Sequence, residues 1–166
     1  MEVEMTPTDL AAWLEARRFA VFIAQSDWLF PTIEFVHVAA IALVVGAIAM
    51  LDLRLLGVSR KEYGVQELAA QTLPWTWISF GVAIVTGSLM FSSAATRYIG
   101  FTPFRIKMLV LLAAGINMAI FHLTAYRKVH DWNHQLPPPN AARVAGTLSL
   151  CFWVLAVFCG RWIGFV

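Results

Sequence analysis

Residues 28–51 read WLFPTIEFVHVAAIALVVGAIAML, and the single formal charge among them is Glu34. A membrane-crossing helix needs about 20 mainly apolar residues to traverse a ~30 Å hydrocarbon core. This stretch meets that requirement, and charge-free stretches follow at residues 68–96, 108–126 and 144–160. With their flanks they predict spans at 30–56, 73–93, 104–127 and 143–165. In lipid every backbone N–H and C=O must be paired internally. Four such segments joined by short connections therefore specify an all-α integral membrane four-helix bundle.

Composition agrees. The chain has 166 residues, 60% hydrophobic, with 12 Lys+Arg against 10 Asp+Glu and a mean hydropathy of +0.71. Only 13% of residues are charged, about half the share of a soluble domain, so a water-covered surface and a disordered chain are both excluded. A net charge of +2 gives no footprint for nucleic acid. Cys151 and Cys159 are eight positions apart on one predicted helix, about 12 Å along its axis, too far for a disulfide. No CxxC, CxxCH, GxSxG, HExxH, P-loop or GxGxxG pattern is present.

Residues 1–27 form neither a span nor a signal peptide, since Glu2 and Glu4 replace a basic start. Thr6, Pro7 and Asp9 predict a capped helix start. Leu10, Trp13, Leu14, Val21 and Phe22 lie among Glu15, Arg17 and Arg18. That pattern predicts an N-terminal amphipathic interfacial helix on the lipid surface, ahead of a transmembrane domain over residues 28–166. Trp28 falls at headgroup level, and the prolines at 137–139 are expected to stop the third helix. Cations divide evenly between the two sides. Setting aside Arg105 and Lys107 as groups inside the bundle leaves both termini expected outside.

Ionisable groups at membrane depth are costly and point to function. Glu34 and His37 share one helix face, about 5 and 9 Å inside Pro31. Arg105 and Lys107 enter from the same side on the third helix, and Arg161 leaves there on the fourth. Glu34 is expected to pair with Lys107, Arg161 or His37 as an ion pair or proton relay. His37 and His122 are the candidate metal ligands within the spans. They lie about 15 Å apart in depth, so one iron cannot take both. A haem b would therefore use His37 alone, opposite Met90 or Met108, with Arg105, Lys107 and Arg161 on its propionates. A quinone at the same layer is the other redox option. At the opposite end His122 is expected near Asp52, Arg54, Trp75 and Ser149. Asn117 is expected to bond across a helix interface, and His130 with His134 has a chelating i, i+4 spacing.

WLFP at 28–31, Glu34, His37, DLRLLG at 52–57, FRIK at 104–107, Asn117 and GRWI at 160–163 together resemble an uncharacterised family of small bacterial inner-membrane proteins. The resemblance runs from Trp28 to the end of the chain. It implies four spans and a bacterial cytoplasmic membrane, and carries over no catalytic residue.

Three function classes follow: a redox protein holding haem b or a quinone near Glu34 and His37, an ion- or proton-conducting component, and a structural or assembly subunit. Small residues at four-residue spacing (Ala156, Gly160, Gly164; Ala42, Gly46) allow close backbone approach. They predict a homo-oligomer contacting through the Gly160 and Gly164 stripe.

Overall fold

The structure is a computed structural model that describes residues 6–58, 62–134 and 137–164. Within them the chain is helical and has no strands. In order, the helices are α1 Pro7–Glu15, α2 Arg18–Gln25, α3 Leu29–Leu55, α4 Val65–Ser93, α5 Ala95–Gly100 and α6 Thr102–Leu123. A 3-10 turn at Tyr126–Lys128, α7 Val129–Trp132 and α8 Asn140–Ile163 follow. Four of these segments are long and apolar enough to cross a membrane. Their outer faces expose large apolar side chains, Phe35 at 73% and Leu109 at 67%, which water would not tolerate in such density. The chain is a multi-pass membrane protein.

Small residues decide how the helices meet. On α4, Thr72, Thr76, Ser79, Ala83 and Thr86 are all buried, at the three- and four-residue spacing that aligns them on one face. Ala40, Val44 and Ala47 are buried on α3, and α3–α4 is the most extensive contact of the bundle. The threonines do not strand their hydroxyls. Thr72, Thr76 and Thr86 donate to the carbonyls of Leu68, Thr72 and Val82 at 2.7–3.0 Å, so polar side chains close the interface without an orphan donor. Extensive contacts then run from α3 to α8 and from α8 to α6. Where α4 and α6 meet they do so through side chains rather than close backbone contact, Phe91 stacking on Phe104 with ring centroids 5.5 Å apart.

At the Asp52 end, Leu55, Val65, Phe121, Val129, Trp132 and Ala142 form a buried apolar cluster. Arg54, fully buried, stitches the connections there. Its Nε donates to the Tyr63 carbonyl at 2.8 Å and its Nη2 to the Asn133 carbonyl at 2.9 Å.

Three expectations change in detail. The second span begins at Val65 rather than 73, because Glu67 accepts the Gly64 N–H at 3.0 Å and so anchors the first turn with its charge. The prolines do not stop the third helix. That helix ends at Thr124, whose hydroxyl donates to the Ile120 carbonyl at 2.6 Å; Pro139 instead opens α8 in extended geometry. The N-terminal segment is two helices broken after Glu15. The cap is as read: Thr6 Oγ1 accepts the Asp9 N–H, and Asp9 accepts the Thr6 N–H at 2.9 Å. Glu15 then takes the Thr96 N–H and hydroxyl at 2.9 and 2.8 Å, docking α1 on the start of α5.

Candidate functional site

α3 carries His37 half-buried against α4, where its Nδ1 stands 2.9 Å from Thr86 Oγ1. The Thr86 hydroxyl has one proton, and it is directed at the Val82 carbonyl at 2.7 Å. Toward His37 it can only accept, so Nδ1 carries the imidazole proton and Nε2 keeps its lone pair. Gly87 makes the approach possible. A Cβ there would lie 3.0 Å from His37 Cε1, so the ring rests directly on the α4 backbone.

Lys107 on α6 is half-buried and reaches over α8. A Cβ on Gly160 would meet its Nζ at 3.5 Å, and Cys159 beside it is buried. Lys107 and His37 lie within electrostatic reach of each other. Met90 is half-buried one turn beyond Thr86 on the same face of α4, whereas Met108 is 50% exposed and faces outward. Arg105 and Arg161 sit exposed at the same end. Glu34 is also exposed, and its field reaches Tyr98 on α5. Burial holds the Tyr98 phenol above its usual value, with Arg97 opposing and Glu34 adding to the shift. Its ring packs with Phe91 and Phe104, centroids 6.1 and 5.4 Å away. The structure thus sets His37 on Thr86 with Lys107 within electrostatic reach, and leaves Glu34 and Arg105 exposed.

A family relationship spans this whole frame, matching residues 15–166. The chain belongs to the DUF6644 family of unknown function. No match was found among curated proteins or among solved structures.

In this DUF6644 chain a partly enclosed space lies at the opposite end from His37. A cavity of about 230 Å³ is bounded by α3, α4, α6 and α8, with Asp52, Asn117, His122 and Ser149 in its wall. Sequence spacing placed His122 with Asp52 and Ser149, and the cavity unites them. Arg54 instead turns to the connections and Trp75 is 66% exposed. Asn117 Nδ2 donates to the Ala145 carbonyl at 3.0 Å, bonding α6 to α8 as read. The cavity is not legible in the sequence, because it depends on which helix faces bring Trp77, Phe80, Asn117 and Trp153 to one wall. His130 and His134 approach Gln66 and Glu67 at 3.5 and 3.8 Å, each occupied with a different partner. Among the described residues no cluster of three or more His, Cys, Asp or Glu side chains has metal-binding geometry.

Proposed function

We propose that the protein is a membrane redox component that binds a quinone from the lipid at the His37–Lys107 layer. The observation that carries this reading is the contact of His37 Nδ1 with the Thr86 hydroxyl, 2.9 Å away, and the tautomer it implies. With Nδ1–H directed at Thr86 and the Ala83 carbonyl also within hydrogen-bond reach of the ring, Nε2 is the nitrogen that would act as acceptor for a quinol hydroxyl and its proton. The Lys107 ammonium, half-buried at the same end, suits the negative charge that develops on a quinone oxygen. Neither group requires a deep pocket, because the headgroup of a lipid-borne quinone docks from the side.

Haem b is the second reading, favoured by one specific observation. Metal-ligating histidines hold their other ring N–H on a protein acceptor, as His37 does. Met90 would then be the opposing ligand, with Arg105, Lys107 and Arg161 toward the propionates. The absorption spectrum of the purified protein separates the two. A Soret band lost in His37→Ala and kept in His122→Ala assigns haem. A colourless protein that binds a short-chain ubiquinone analogue in nanodiscs, with binding lost in His37→Ala, supports the quinone. Colourless protein with no quinone binding overturns the redox reading altogether. We place the chain in a bacterial cytoplasmic membrane with both termini outside, which C-terminal reporter fusions test.

A further inference from the structure

The cavity at the Asp52 end has a chemistry of its own, independent of the His37 reading. Asp52 is 5% exposed, and its Oδ2 has no hydrogen-bond partner among the described residues. Ser149 supplies a hydrogen bond to its carboxylate. The nearest arginine in sequence, Arg54, is directed at the carbonyls of Tyr63 and Asn133. A carboxylate in such a place is costly unless something pairs with it.

Its polar neighbours do not supply the missing donor. Asn117 spends its Nδ2 on the Ala145 carbonyl, which leaves Oδ1 as an acceptor. His122 Nδ1 lies 2.9 Å from the Met118 carbonyl, so it carries the proton and Nε2 is left as a lone pair. Thr76 donates back to Thr72 at 3.0 Å. What these bonds leave over on Asp52, Asn117 and His122 is a set of acceptors, Oδ2, Oδ1 and Nε2; the buried Arg54 Nη1, also without a partner among the described residues, lies outside the cavity wall. The rest of the wall includes Trp77, Phe80 and Trp153, and aromatic faces attract cations.

We propose that this cavity binds a small organic ammonium ion, a protonated primary amine with a short apolar body, with Asp52 as its counter-ion. An –NH₃⁺ group brings three donors and no acceptor, the complement of the leftover atoms. The apolar body meets the aromatic and aliphatic wall. At about 230 Å³ the space is below the usual range for drug-sized ligands, about 300–1,000 Å³, so the body is no larger than one ring.

Titration calorimetry of the full chain in nanodiscs tests this, with benzylammonium chloride as probe, benzyl alcohol as its neutral counterpart and empty nanodiscs as blank. At neutral pH benzylammonium should bind saturably, at least about tenfold more tightly than benzyl alcohol, and Asp52→Asn should weaken it by a similar factor. Equal affinity for the alcohol would make the site one for neutral donors and overturn the proposal. So would parent protein indistinguishable from the blank, or folded Asp52→Asn that binds as the parent does. Should Asp52→Asn not fold, the comparison of ammonium with alcohol on the parent decides alone.

Discussion

The proton on His37 is fixed by a hydroxyl one helix away. Thr86→Val keeps the shape of that residue and removes its oxygen, leaving the Ala83 carbonyl as the remaining acceptor for the ring on α4. In ¹⁵N-histidine spectra the parent should show Nδ1 protonated and Nε2 bare, and Thr86→Val should shift the ring toward a mixture of tautomers. A parent spectrum with Nε2 protonated would remove the basis of the quinone reading. At the chain's start Asp9 is held below the usual carboxylate range by the Thr6 hydroxyl, the larger effect, and by the Thr6 N–H. Its folded-state value is the lower one, so the cap's contribution is complete above the ordinary carboxylate value near pH 4 and fades as pH falls through the depressed one. Amide exchange in α1 should therefore quicken under strong acid, before that of α3. Thr6, Pro7 and Asp9 were legible because a cap is local chemistry. The Thr86 contact was not, since it joins residues 49 apart and depends on which face of α4 turns inward.

Elements were legible to the extent that charge marks the edge of lipid. The charge-free rule located all four spans, and it failed at the start of α4, where Glu67 lies inside the helix as an anchor for its first turn. It failed again at the end of α6, where a threonine ends the helix and no charge signals it. Packing between elements depends on glycine at one close crossing. A Cβ on Gly146 of α8 would stand 3.2 Å from the Asp52 carbonyl oxygen and 3.2 Å from Leu55 Cβ, on the facing side of α3. Backbone cannot yield as a flexible side chain does. Gly146→Leu should lower stability by about 1–3 kcal/mol through overpacking, measured by unfolding in mixed micelles. Gly115→Ala, where a Cβ meets nothing within 4 Å, should be neutral or stabilising by up to about 1 kcal/mol through helix propensity. If the two variants unfold alike, α3 and α8 do not cross as described.

At the scale of the whole molecule, the polar residues singled out in the sequence separate into two layers. Depth counted along each helix was enough to keep His37 and His122 apart. It could not tell that Glu34 faces outward while Lys107 turns in over Gly160, because rotation about a helix axis is set by packing rather than by depth. The same rotation bears on self-association, which we propose as a property of this chain. Ala156 is buried, and a Cβ on Gly160 would meet Lys107 of the same chain, so these two residues of the α8 stripe serve the bundle itself. Ala42 and Gly46 on α3 are exposed, and a Cβ on Gly46 meets nothing within 4 Å. This second stripe is the open one, and close backbone approach in lipid depends on such small-residue faces. Gly46→Leu should then reduce the oligomer seen by native mass measurement from nanodiscs while helicity and thermal stability stay at parent values. Gly160→Leu should act differently, displacing Lys107 and lowering stability, with any loss of oligomer following loss of fold. Parent protein that is monomeric in nanodiscs would end the proposal. An oligomer that survives Gly46→Leu but dissociates in folded Gly160→Leu would return the contact to α8.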